Sequence, residues 1–206
     1  MTEKNYSLGV ASAEFAALYA EGLPPWQIDR PQAEVLRWLE QGAFVSPVLD
    51  IGCGSGDNAI ALARAGYRVV GLDAVEEALR RAREKAGREA LVQPPEFVLG
   101  DALRLEESGL EVESVLDCAL FHTFSDEDQV KYVGGLSQVL PAGGKVHLLS
   151  FSEMETRSPG PRRLSLEQIT GPFGPAWEVE EAVRCRYEDR VRPDGAHAWR
   201  VTLVKK

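Results

Sequence analysis

Blocks of apolar and polar residues alternate through the middle of the chain, and their periods read as strands and helices in turn. Val48, Leu49 and Ile51 surround Asp50 in a short apolar run that predicts a buried strand over about 47–51. Helical spacing follows over 57–65 and stops at Gly66, and 67–73 reads as a second strand. Residues 76–86 are acidic at their start and place Leu79, Ala82 and Ala86 on one face, as an amphipathic helix does. Strands are expected over 95–101 and 114–120. Ser125 and Asp128 then make an S-x-x-D cap for a helix running to about Leu140. Strand five follows the turn Pro141-Ala-Gly-Gly144, and a polar, arginine-bearing segment over 153–164 leads to a short helix capped by Ser165 and Gln168. Two long strands, 177–188 and 197–205, close around Pro193-Asp-Gly195, and so short a connection makes them antiparallel. Upstream, Gly22 and the prolines at 24 and 25 separate two short helical patterns.

Strands alternating with helices imply a doubly wound parallel α/β sheet with helices on both faces. A chain of 206 residues with 44% hydrophobic content fits one such domain. The net charge of −9 opposes nonspecific attraction to nucleic acid or anionic membrane, so neither is an expected partner. Cys53, Cys118 and Cys185 are isolated and odd in number, with no C-x-x-C pair and three histidines to assist, so a reduced cytoplasmic protein without bound metal is expected. The polar start Met-Thr-Glu-Lys-Asn does not read as a signal peptide and no apolar run approaches the roughly 18 residues of a membrane span, so a soluble protein is expected.

The candidate chemistry begins where the first strand ends. Residues 48–56, Val-Leu-Asp-Ile-Gly-Cys-Gly-Ser-Gly, deliver a buried strand to a loop whose glycines tolerate unusual φ and let a ligand approach the backbone. The following helix offers free N–H groups and the positive end of its dipole. Such a loop serves adenosylmethionine or NAD alike. The spacing Gly52-x-Gly54-x-Gly56 lacks the G-x-G-x-x-G interval of dinucleotide sites, which disfavours a nicotinamide-dependent oxidoreductase. Asp50, Asp73, Asp101 and Asp117 fall at the carboxyl ends of four consecutive strands, where an open α/β sheet builds its site. As lone residues, Asp73 and Asp101 also suit turns and helix caps. Cys53 reads as a small space-filling residue, since no histidine lies beside it in sequence.

The 48–56 loop resembles that of class I S-adenosylmethionine-dependent methyltransferases, and the element order resembles their seven-stranded sheet, in which the last strand inserts antiparallel. A second stretch, Tyr19-Ala-Glu-Gly-Leu-Pro-Pro-Trp-Gln-Ile-Asp-Arg-Pro-Gln32, resembles a Tyr-x-x-x-x-Pro-Pro-Trp-Asp-Ile-Gly-Arg-Pro-Gln segment of small-molecule methyltransferases related to the thiopurine, thiol and halide enzymes and to bacterial heterocycle and quinone enzymes. Gln27 and Asp29 depart from its Asp and Gly. A third stretch, Asp117-Cys-Ala-Leu-Phe-His-Thr-Phe-Ser-Asp-Glu-Asp128, and Gly160-Pro-Arg-Arg163 match the same relatives, whose version of the former begins Asp-Ser-Gly.

The resemblance implies methyl transfer from S-adenosylmethionine to a small-molecule nucleophile: a thiol, halide or thiocyanate, phenolic hydroxyl or N-heterocycle. A non-catalytic adenosylmethionine-binding protein is the alternative. It further implies that Asp73 and Ala74 meet the ribose, Asp101 and Ala102 the adenine, and Asp50, Gly52, Cys53 and Gly54 the methionine end. Asp117, Cys118 and Ala119 would sit between methionine and acceptor, with Phe121 and His122 as a substrate wall. Trp26 either faces the sulfonium or anchors the N-terminal helix. His122 is either a base near neutral pH or structural. Arg162 and Arg163 hold an anionic substrate or pair with surface acids. The expected division is an N-terminal helical lid over 1–45, a cofactor-binding core over 46–152, and a substrate-side segment with the terminal hairpin over 153–206.

Overall fold

The buried apolar runs become the centre of one sheet. In a computed structural model that describes residues 12–206, strands β1 (Val48–Ile51), β2 (Val69–Asp73), β3 (Glu96–Leu99), β4 (Ser114–Cys118) and β5 (Lys145–Phe151) run parallel. Strand β6 (Trp177–Tyr187) turns through a hairpin into β7 (Ala196–Lys205), which inserts antiparallel between β5 and β6, giving the order β3-β2-β1-β4-β5-β7-β6. This is the expected seven-stranded sheet.

Helices cover both faces. Helices α2 (Ala33–Glu40) and α3 (Asp57–Arg64) bury Val35, Trp38 and Leu62 against Leu116 and Leu149 on one side. Helix α5 (Asp126–Val139) buries Tyr132, Leu136 and Val139 against Val115, Val146 and Leu148 on the other. Each fully buried aliphatic or aromatic side chain here contributes about 1.5–3 kcal/mol. Ser125 caps α5 by accepting from the Asp128 N–H, and Ser165 and Gln168 form a complete capping box on α6 (Leu166–Thr170), both as the sequence pattern indicates. Helices α1 (Ser12–Glu21) and α4 (Glu76–Ala86) complete the set, with α1 against α4.

The structure shortens several elements. Strand β4 stops at Cys118 rather than residue 120, because Ala119 takes φ +70 and turns the chain out of the sheet. Strand β3 spans four residues, and β2 begins at Val69. Tight helical turns at Ala102–Glu107, Phe121–Thr123 and Gly171–Ala176 have no counterpart in the predicted elements. The register fixes the carboxyl edge: Phe151 pairs with Ala198, Ala198 with Cys185, and Tyr187 lies two residues beyond Cys185. Strand β6 therefore overhangs β5 at the edge where the loops gather.

Candidate functional site

The loop after β1 is shaped by its glycines. Gly54 has φ +54, and a Cβ there would stand 2.9 Å from the Tyr19 hydroxyl; Gly56 has φ +81, and a Cβ would stand 2.8 Å from that of Ala82. Only glycine suits both the dihedrals and the space. Asp73, at the end of β2, fastens the loop: its carboxylate accepts from the Gly54 N–H at 2.8 Å and the Val75 N–H at 2.9 Å. Burial raises its pKa despite these bonds. Asp101 is exposed at the end of β3 and caps the 102–107 turn by accepting from the Leu103 N–H at 2.9 Å.

These strand ends open on a cavity of about 1050 Å³. Gly52, Cys53 and Gly54 line it with Asp73 and Ala74, Asp101 and Ala102 lie further along, and Trp26 closes the near side. The wall then passes Cys118, Ala119 and Leu120 to a chamber bounded by Phe124, Phe151, Pro159, Pro161, Tyr187 and Val191. Two acids on separate strand ends, a left-handed glycine loop and apolar surface between them suit a ligand with separated hydroxyl and amino groups. Cys53 is a buried thiol whose pKa burial pushes well up, so it fills space rather than attacking.

Asp50 and Asp117 lie behind this wall. Asp50 is 1% exposed, and one of its carboxylate oxygens, Oδ2, has no partner. Burial first, opposed by the Ala59 backbone N–H and reinforced by Asp73 and Asp117, holds its pKa up at about 8. Asp117 is fully buried; it accepts from the Leu120 and Phe121 N–H groups at 3.0 and 3.1 Å and from the Tyr132 hydroxyl at 2.8 Å. All its bonds brace the turn that ends β4, so the expected place for Asp117 between methionine and acceptor is corrected. Burial raises its pKa to about 6 against those three donors.

The acceptor side departs further from the sequence reading. Phe121 is fully buried and packs on Tyr132 and Phe173, 6.0 Å from each, so it belongs to the core and not to the substrate wall. Leu120 and Phe124, on either side, line the cavity instead. His122 does line it, yet its Nδ1 accepts the Phe151 N–H at 2.9 Å. A ring that accepts there carries its proton on Nε2. Burial first, then the charge of Arg163, lowers its pKa to about 3, opposed by the Ala119 backbone. A neutral imidazole with its lone pair engaged takes no proton from a substrate, which removes His122 as a base.

Arg162 and Arg163 also turn away from the cavity. Arg162 donates to the Phe124 carbonyl at 2.5 Å and pairs with Asp126; Arg163 donates to the carbonyls of Arg157, Gly160, Pro161 and Glu155. They clamp the 157–163 segment. The arginine at the chamber is Arg192, buried, paired with Asp189 at 2.6 Å and donating to the Pro159 and Arg157 carbonyls. Tyr187, Asp189 and Arg192 carry no local motif, and only the β6–β7 hairpin brings them here.

The segment before α2 is docked from two sides. From α4, Arg81 donates to the Tyr19 and Gly22 carbonyls at 2.8 Å each and Lys85 pairs with Asp29 at 2.9 Å; Trp26 Nε1 donates to the Tyr19 hydroxyl at 3.1 Å. From the hairpin, the Gln32 amide donates to the Glu188 carbonyl at 2.8 Å and accepts the Glu188 N–H at 2.9 Å, as a neighbouring strand would.

Among the described residues no helix is long and apolar enough to cross a membrane, and no cluster of three or more His, Cys, Asp or Glu residues is disposed to hold a metal ion. Residues 48–144 match the methyltransferase domain family. An uncharacterised methyltransferase of Schizosaccharomyces pombe is 35% identical over 115 residues, which span 56% of this chain and 78% of that protein. The 2-heptyl-1-hydroxyquinolin-4(1H)-one methyltransferase of Mycobacteroides abscessus is 29% identical over 183 residues, 88% of this chain and 78% of its own. A structure solved in a study of the conversion of a disulfide bond into a thioacetal group during echinomycin biosynthesis superposes with a TM-score of 0.85 at 27% identity, covering 95% of this chain and 93% of its own. The chain belongs to this methyltransferase family. It is an S-adenosylmethionine-dependent enzyme, not a nicotinamide oxidoreductase.

Proposed function

We propose that the chain methylates a small apolar molecule bearing a soft or readily ionised nucleophile, held in the chamber bounded by Phe124, Phe151 and Val191. The observation that carries this reading is one continuous cavity, running from the glycine loop past Cys118–Leu120 into that chamber. When bound, S-adenosylmethionine supplies a methyl group on a positively charged sulfur. Asp73 is suited to the ribose hydroxyls, because each of its oxygens accepts one N–H and keeps further lone-pair capacity. Ala74 lines the cavity beside it. Asp101 and Ala102 are suited to the adenine, the Gly52–Gly54 backbone to the methionine end, and Trp26 to excluding water above it. Residues 46–152 then form the cofactor-binding core, and 153–206 the substrate side. The N-terminal segment acts as the lid; residues 1–11 of the expected 1–45 span lie outside the described residues.

Among the described residues none at the chamber stands free as a base. His122 is engaged at Nδ1, Asp189 accepts the Val191 and Arg192 N–H groups and the Arg192 guanidinium, and burial keeps the Tyr187 phenol protonated. An acceptor therefore arrives as an anion or as a neutral soft atom, and catalysis rests on alignment and dehydration. Thiolates, halides and acidic hydroxyls meet that condition, and so does an N-hydroxyquinolone of the kind named for the mycobacterial relative. The test is calorimetric titration with adenosylhomocysteine, followed by a methyl-transfer screen across thiols, iodide, thiocyanate, phenols, 1-hydroxyquinolin-4-ones and N-heterocycles. Binding with transfer to at least one class is expected; cofactor binding without transfer to any of them would overturn this choice of acceptor.

A further inference from the structure

Where the chamber meets the cofactor end of the cavity, one hydroxyl stands uncommitted. Tyr187 is 5% exposed, lies at the carboxyl end of β6, and lines the cavity with its ring packed on Phe151 at 5.4 Å between centroids. Among the described residues none hydrogen-bonds its hydroxyl, although the groups acting electrostatically on that oxygen, Cys118, Asp189 and Tyr19, all belong to the cavity wall. The ring is buried while the oxygen opens on the cavity, where it is free to meet a ligand.

The neighbouring polar groups are already engaged. Thr123 donates to the Leu120 carbonyl, Arg30 pairs with Glu188, and the Trp26 indole donates to Tyr19. Arg192 pairs with Asp189 through Nη1 and donates to the Arg157 and Pro159 carbonyls through Nη2, while its Nε faces the Glu155 carboxylate at 3.6 Å. Cys118 lies at the end of β4, and it shares with Tyr187 and Phe151 both one apolar cluster and the cavity lining, the stretch of wall where methyl group and acceptor must meet. The overhang of β6 beyond Phe151 puts Tyr187 there.

We propose that the Tyr187 hydroxyl donates a hydrogen bond to the nucleophilic atom of the methyl acceptor and holds that atom in line for transfer. The inference rests on the proposed function. In the step it serves, a lone pair of the acceptor forms the new bond to the methyl carbon while the carbon–sulfur bond breaks toward sulfur. An anionic acceptor becomes neutral and no proton moves. The phenol keeps its proton because burial holds its pKa well above the ordinary value, so it serves as a donor and not as a base.

The experiment compares wild type with Tyr187→Phe, which keeps the ring on Phe151 and removes only the hydroxyl. With whichever acceptor the screen identifies, kcat/KM should fall about 10- to 100-fold, the scale of a hydrogen bond to a charged group. Binding of that acceptor to protein saturated with adenosylhomocysteine should weaken as well, while the dissociation constant of adenosylhomocysteine and the melting temperature stay unchanged. Unchanged kcat/KM would overturn the assignment. Weakened adenosylhomocysteine binding with unaltered acceptor binding would give the hydroxyl to the cofactor and overturn it too. If wild type itself methylates nothing, the proposed function fails first and Tyr187 falls with it, an outcome distinct from a working wild type matched by its variant.

Discussion

Replacing Asp50 by Asn should change how stability depends on pH. In the folded chain the Asp50 carboxyl titrates at about 8, against an ordinary 3.8. Between those values the folded state holds a proton that the unfolded state has released, so the stabilising contribution is complete below the ordinary pKa and is lost as pH rises through the folded one. Each pH unit in that window removes at most about 1.4 kcal/mol, or about 4 kcal/mol between about pH 5 and pH 8. Asn has no such proton to release. It does place an amide where Oδ2 has no partner, a constant cost of about 1–3 kcal/mol. The variant should therefore be the less stable protein near pH 5 and should gain steadily on wild type toward pH 8. Urea unfolding at several pH values, with matched m-values, reads the difference directly. A gap constant to within about 0.5 kcal/mol across the range would refute the argument, because it would mean that Asp50 is ionised throughout.

Three further outcomes follow from the site. Asp73→Ala should weaken adenosylhomocysteine binding about 10- to 100-fold by calorimetry, and an unchanged dissociation constant in a folded variant would remove Asp73 from the cofactor site. Arg81→Ala cuts the bonds to the Tyr19 and Gly22 carbonyls, so hydrogen exchange around Trp26 should quicken and adenosylhomocysteine should restore less protection than in wild type; identical exchange with and without ligand in wild type would end the lid reading. His122→Asn should slow transfer to ionised and protonated acceptors by similar factors, since the ring takes no proton, and a loss of about 100-fold confined to protonated acceptors would reinstate it as a base.

The parts of the site legible in the sequence are those with a local cause. The glycine loop, the acids ending β2 and β3, and the caps at Ser125 and Ser165 each depend on residues a few positions apart. Asp29 and Ala119 are instructive: both stand where the resembling segments have glycine, and both take left-handed backbone, with φ +55 and +70. Asp29 is supported there by Gln27 and Lys85, and the turn that holds Ala119 by Asp117. The sequence marked those positions but gave no sign of their cost, about 1–2 kcal/mol each for a residue with a Cβ. Arg162 took the second of its two readings, pairing with the exposed Asp126, and Arg163 took neither, donating to backbone carbonyls; charge alone decides neither direction nor partner. Tyr187 and Arg192 escaped because the order β5-β7-β6 carries their hairpin to the cavity, a relation between elements far apart in the chain.

The paired bonds between the Gln32 side chain and the Glu188 backbone tie the entrance segment to the hairpin tip across 156 positions of sequence. Anyone recombining this chain with a relative to alter what it methylates should treat the two stretches as one cassette. A transplanted hairpin tip without a matching amide at position 32 would leave backbone groups of Glu188 unanswered, and a transplanted entrance segment would meet the same fault from the other side. Crossover points inside the central sheet, with both stretches taken from one parent, keep the pairing intact.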